Sequence, residues 1–146
     1  MKTIVPKARD LNRQWHLLDA KGQILGRFAS QVAQILMGKT KTNYMRHVDG
    51  GDFVVVINCK EILTTGRKEK QKMYVRHSGF PKGFKSTPLE KLREEQPEKV
   101  IKHAVLGMLP QNKLRDRMMT RLLVFPGAEH TYKDRFQKVK EENAKN

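Results

Sequence analysis

The chain has 146 residues, enough for one domain with a sizeable core, and it sets 30 Lys and Arg against 15 Asp and Glu for a formal charge of +15. Such an imbalance is self-repulsive unless a polyanion neutralises it, and the excess runs along the whole chain rather than sitting in one tail. Nucleic acid touching several faces is therefore expected. The single cysteine, Cys59, excludes an internal disulfide and a thiolate zinc cluster.

Residues 1–13 are polar and basic and are expected to lie extended over the surface. Met1-Lys2-Thr3-Ile4-Val5-Pro6 lacks the long apolar core of a secretory signal. No run reaches the roughly 20 apolar residues of a membrane-spanning helix. Cytoplasm, or an organelle matrix after processing, is the expected location.

Gln14 to Leu18 reads as a first strand, and Asp19-Ala20-Lys21-Gly22 as a turn. Apolar residues then recur at 25, 28, 29, 32, 33 and 36, the spacing of an amphipathic helix over Leu25–Met37. Gly38 is placed to end it in a left-handed conformation, with Lys39 and Lys41 at its negative end. Phe53-Val54-Val55-Val56-Ile57 shows no alternation with polar residues, so a strand covered on both faces is expected, as in a parallel sheet. Strand, helix and buried strand together make a βαβ signature.

A further strand is expected near Lys72–His77. Thr87-Pro88-Leu89-Glu90 has the spacing of a capping box with proline at the first helical position, starting a helix to about Glu95. Pro97 starts another, with Val100, Ile101, Ala104, Val105 and Met108 on its apolar side. Leu114, Met118 and Met119 fit one or two more helical turns, the methionines as core filler. Leu122–Phe125 reads as the last strand, closed by Pro126-Gly127. From Lys133 the sequence is charged and weakly patterned, and an irregular or partly helical tail is expected.

The densest basic segment, Gly66 to Lys85, holds seven basic residues and one acid. Arg67, Lys68, Lys70, Lys72, Arg76, Lys82 and Lys85 supply charge to phosphate oxygens. Its glycines let backbone approach closely, and interleaved aromatics such as Tyr74, Phe80 and Phe84 can stack on an unpaired base or tuck into the core. His77 accompanies Tyr74 as a candidate for hydrogen bonding or stacking. A second group, Lys39, Lys41, Arg46 and His47, precedes Asp49-Gly50-Gly51-Asp52. A third is Lys113, Arg115 and Arg117. Asp49 and Asp52 read as turn formers at the entry to the Phe53 strand in preference to metal ligands.

Gly38-Lys39-Thr40 looks like the end of a phosphate-binding P-loop, but the required earlier glycine is Ala33 and the motif follows a helix instead of a strand. The five histidines show no metal spacing, and no nucleophile elbow accompanies His77-Ser78. No catalytic, cofactor or metal site is expected. The rival reading is a metal-dependent nucleic-acid-processing enzyme using Asp49, Asp52 and His47 or His77. A DNA-binding regulator is disfavoured, since no helix-turn-helix or basic zipper pattern is visible.

The chain resembles the bacterial form of the large-subunit ribosomal protein thirteen family. The resemblance rests on Trp15 to Ala20 with Leu25-Gly26-Arg27, on Gly38-Lys39 with Tyr44, His47 and Asp49, and on Gly51 to Asn58. It continues through Thr65-Gly66, Arg76-His77-Ser78-Gly79 with Pro81 and Gly83, Gly107-Met108-Leu109-Pro110 and Glu129-His130. Order and spacing hold from about residue 12 to 131. Lys82 stands where the family usually has glycine, and the glycine usual after Pro110 is absent.

The resemblance implies an α/β fold of three layers, α/β/α, around a small, mainly parallel four-stranded sheet with basic loop extensions, all in a single domain spanning 1–146. It also implies a non-enzymatic role: a large-subunit ribosomal RNA partner bound early in assembly, and neighbouring ribosomal proteins. No membrane, small-molecule substrate or obligate homo-oligomer is implied.

Overall fold

A computed structural model describes residues 11–136. The expectations for residues 1–10 and for the tail beyond 136 lie outside the described residues. The first strand, β1 (Trp15–Asp19), is followed by helix α1 (Leu25–Met37) and strand β2 (Phe53–Ile57). β1 pairs parallel to β2, from Trp15 opposite Phe53 to Asp19 opposite Ile57. β5 (Leu122–Val124) pairs parallel on the other side of β2, with Val54 opposite Leu122 and Val56 opposite Val124. The sheet order is β1-β2-β5, so β2 is central, and Val54, Val55 and Val56 are all at 0% exposure.

The helix forms as its spacing predicts. Leu25, Phe28, Ala29, Val32, Ala33 and Leu36 are its buried residues, and they join Val54, Val56, Leu122 and Val124 in one apolar core. Helix α4 (Pro97–Met108) adds Val100, Ile101 and Val105 to that core, with Pro97 in its first turn where no amide partner is lost. The opposite face of the sheet is aromatic. Trp15 stacks on Phe53 at 4.4 Å between ring centroids, and Tyr132 and Phe136 close over Trp15 at 5.5 and 6.2 Å.

Several expectations are corrected. Among the described residues the parallel sheet holds three strands, not four; beside it stands only an isolated parallel bridge between Ile24 and Leu63. The strand expected near Lys72–His77 is present, but the rest of the basic segment 66–85 is more ordered than a loop. It forms a short helix α2 (Lys68–Gln71) and a two-stranded antiparallel hairpin, β3 (Met73–His77) with β4 (Phe84–Pro88). Thr87 belongs to β4, and helix α3 (Leu89–Glu95) starts after Pro88 with no side-chain cap. The Leu89 amide donates instead to the Lys72 carbonyl at 2.9 Å, which ties the hairpin to α3. Met118, on α5 (Arg115–Thr120), is buried, but Met108 is 40% exposed and its sulfur accepts from Ser30 Oγ. Cys59, in a single 3-10 turn (Cys59–Glu61), is fully buried, and burial pushes its thiol up to about 11.

Candidate nucleic-acid interface

The C-terminus of α1 is where the site is built. A helix end leaves carbonyls without partners. Gly38 ends α1 at φ 74°, and its amide bonds back to the Ile35 carbonyl. The Asp52 amide donates to the same oxygen, and Arg121 Nη2 donates to the Leu36 carbonyl at 3.2 Å. The chain passes so close here that a Cβ on Gly51 would lie 1.7 Å from the Leu36 oxygen. Gly38 therefore caps a helix and has no P-loop geometry.

This packing fixes two aspartates. Arg121, 4% exposed, grips Asp49 through Nη1 at 2.6 Å and Nη2 at 2.5 Å, and Arg13 stands 3.6 Å from the same carboxylate. Asp52, 2% exposed, accepts from Lys41 Nζ at 2.5 Å, His16 Nε2 at 3.1 Å and the Gln14 amide at 3.0 Å. Burial alone would push the Asp52 carboxyl up. The donors of His16, Lys41 and Gln14 more than offset it, so its pKa lies below the ordinary value of 3.8. The aspartates are thus ion-pair centres, neither simple turn formers nor open metal ligands. Among the described residues no group of three or more His, Cys, Asp or Glu is arranged to hold a metal.

Lys41 is spent on this interior. Its ammonium donates to the Asn12 carbonyl at 2.7 Å and the Gly50 carbonyl at 3.0 Å as well as to Asp52. Tyr74 is also turned inward: its hydroxyl is buried, its ring lies 5.4 Å from that of His103, and Lys72 Nζ sits 5.3 Å from the ring centre.

The other predicted cations are displayed in two places. Near the C-terminus of α1, Arg46 and His47 are exposed and Lys39 follows the cap. His47 and Arg117 line one open cleft of about 600 Å³ together with Arg13 and Arg121, which joins the second and third basic groups. Lys113 is exposed beside them, and Arg115 is half-buried with its Nε unpartnered. Near the N-terminus of α1, Lys68 and Lys72 line a cavity of about 590 Å³ with Gly26, His103 and Gly107. Arg67, Lys70, Arg76, His77, Lys82 and Lys85 are exposed on the same helix and hairpin. Among the described residues, none of these exposed Lys and Arg side chains pairs with an acid. At 1.5 Å per residue, the 13 residues of α1 span about 20 Å, with one group near each end.

Within the hairpin Arg76 stands directly opposite Lys85. Like charges in that position destabilise a strand pair unless an anion lies between them. At the tip, Phe80-Pro81-Lys82-Gly83 closes with Gly83 N donating to Phe80 O at 2.9 Å. Lys82 has φ 61°, the left-handed conformation that the third position of a type II turn requires and that glycine adopts without cost. Sequence reasoning missed Arg121 and Arg13, because their partner lies far along the chain, and it left Phe80 and Phe84 between stacking on a base and packing in the core; both are exposed.

A family model described as Ribosomal protein L13 matches residues 13–131. Among curated proteins, the large ribosomal subunit protein uL13 of Clostridioides difficile (strain 630) is 52% identical over 132 residues, 90% of this chain and 92% of that one. The protein of the same name from Dictyoglomus thermophilum is 47% identical over 143 residues, 98% of this chain and 99% of its own length. That of Caldanaerobacter subterraneus subsp. tengcongensis is 51% identical over 132 residues.

Proposed function

This chain belongs to the ribosomal protein L13 family, and from that premise we propose that its two displayed cation groups clamp large-subunit ribosomal RNA at both ends of α1. The chain is a structural constituent of the large ribosomal subunit and not an enzyme. The apolar core and the ion pairs of Asp49 and Asp52 form a rigid platform. Lys39, Arg46, Lys113, Arg115 and Arg117 neutralise phosphates on one side, with His47 beside them to hydrogen-bond or stack. Arg67, Lys68, Lys70, Lys72, Arg76, Lys82 and Lys85 do so on the other, with His77 beside them to hydrogen-bond or stack. Lys41 and Tyr74 act indirectly, by holding the platform in shape.

The observation that carries this reading is the pair of cation groups without acid partners, one near each end of a helix about 20 Å long. Charges held near both ends of one helix suit a folded RNA, which presents phosphates from different helices at set distances. Recognition is then of shape more than of sequence. The chain works as one domain, ribosome-bound and cytoplasmic in a bacterial cell, beside other ribosomal proteins and from an early stage of assembly. The aromatic residues 132 and 136, lying on the sheet face away from α1 and α4, favour a third layer there.

Sedimentation of a cell extract at low and high salt tests the reading. The chain is expected to travel with the large subunit and to resist a salt wash. Recovery as free protein at the top of the gradient would overturn it.

A further inference from the structure

The hairpin is two-faced. Its register sets Met73, Val75, His77 and Phe84 on one side, and Tyr74, Arg76, Lys85 and Thr87 on the other. Met73, Val75 and Phe84 are 49%, 59% and 61% exposed, and Phe80 at the tip is 74% exposed. Aromatic rings left this open have not been placed for the core.

We propose that Phe80 and Phe84 form a stacking platform for unpaired RNA bases, with Lys82, beside Phe80 at the tip, holding the adjoining phosphate. This rests on the RNA-binding reading above and names which part of the RNA the hairpin takes. Three observations favour it. The hairpin from Met73 to Pro88 carries Arg76, Lys82 and Lys85 and no acid, with Lys82 the cation beside Phe80 at the tip, so its charge favours an anionic occupant. A nucleic acid brings flat apolar surface on a polyanion, and stacking of a base on an aromatic ring tolerates any sequence.

The tip is also held in advance of binding. Gly79 N donates to His77 Nδ1 at 3.0 Å, Gly83 N to Phe80 O at 2.9 Å and Ser78 N to Gly83 O at 3.1 Å. A Cβ on Gly83 would lie 2.0 Å from Ser78 Oγ, which can rotate away, and 2.8 Å from the Phe80 carbonyl oxygen, which cannot, so a side chain there would force the turn to shift. Finally, Lys82 occupies a left-handed position that costs a side chain energy, which sets a charge beside Phe80 in place of a relaxed turn.

The test uses the full chain with two probes, a single-stranded RNA of roughly 12 nucleotides, within the span such surfaces cover, and a blunt duplex of the same sequence. Affinities are measured by fluorescence anisotropy across a range of salt. For the F80A/F84A variant, single-strand affinity is expected to fall about tenfold or more, with the duplex affinity and the salt slope unchanged. The K82Q/K85Q variant should weaken both probes and flatten both slopes. A 2-aminopurine in the single strand should be quenched by the parent chain and not by F80A/F84A. Both rings are exposed, so truncation spares the core, and circular dichroism checks the fold.

Unchanged single-strand binding by F80A/F84A, or equal losses on both probes, would overturn the proposal. So would a F80A/F84A chain that keeps its RNA affinity yet leaves the large subunit on gradients, which would assign the face to a protein neighbour. If the parent chain binds neither probe nor ribosomal RNA, the RNA-binding reading itself fails.

Discussion

Replacing Arg121 with methionine removes the cation from Asp49 while keeping most of the side-chain volume. Two hydrogen bonds to the carboxylate and one to the Leu36 carbonyl are lost together. Deleting one partner of a buried ion pair costs about 3–5 kcal/mol, because the other charge is left without compensation. Asp49 is 12% exposed and Arg13 stands 3.6 Å away, so water and a second cation soften the loss. The lower figure, about 3 kcal/mol, is therefore expected, which lowers the melting temperature by about 10 °C for a chain of this size. Urea unfolding at pH 7 measures it. The double variant R121M/D49N should lose at least about 1 kcal/mol less than the two single variants summed, since no orphan charge remains. Additive losses, or a single variant within about 0.5 kcal/mol of the parent, would refute the assignment of Arg121 as the lock on this junction.

Asp52→Asn should lower the unfolding midpoint at pH 7, and the gap to the parent should narrow as the pH falls. The parent's carboxyl has a folded pKa below 3.8, so its stabilisation is present above that value and is lost as the pH drops through the folded pKa. A constant gap from pH 7 to pH 2.5 would contradict this. Cys59 acts at the other end of the scale. Its thiol is raised from 9.0 to about 11 in the fold, so stability should fall as the pH rises between these values, and Cys59→Ala should flatten that limb. An alkaline limb identical in the variant would count against it. Lys82→Gly relieves a left-handed lysine at about 1–2 kcal/mol while adding glycine's unfolded-state freedom at about 0.5–1 kcal/mol. The variant should be as stable as the parent or slightly more, yet bind ribosomal RNA with a salt slope lower by about 1; destabilisation beyond about 1 kcal/mol would refute the strain.

The elements legible in the sequence are those whose pattern is dictated by the core. Six apolar positions of α1 match its buried residues one for one, the uninterrupted β-branched run of β2 is buried as expected, and Gly38 caps α1 in the left-handed region. β4 was not legible. Phe84, Lys85 and Ser86 are all exposed, so no apolar alternation marks the strand, and Pro88 suggested a helix start that lies one residue later. The ion pairs were hidden for another reason. Arg121 and Asp49 are 72 positions apart, and nothing local distinguishes them from surface charge. Lys41 misled in the opposite direction: its neighbours made it one of a basic group, while Asp52, 11 positions on, draws it inside. Composition fixes how much charge a chain displays, but only packing decides which cations remain free for a ligand.

The central claim is that free cations on the hairpin and beside the α1 cap neutralise phosphates of large-subunit ribosomal RNA. The most direct measurement is the slope of log affinity against log salt for that RNA, compared between the parent and R76Q/K85Q. The two side chains face each other across the strand pair, and each neutralised phosphate contributes about one to the slope. The account predicts weaker binding, a slope lower by about 2 and an unfolding midpoint no lower than the parent's. A variant that binds with the parent's affinity at every salt concentration would contradict it.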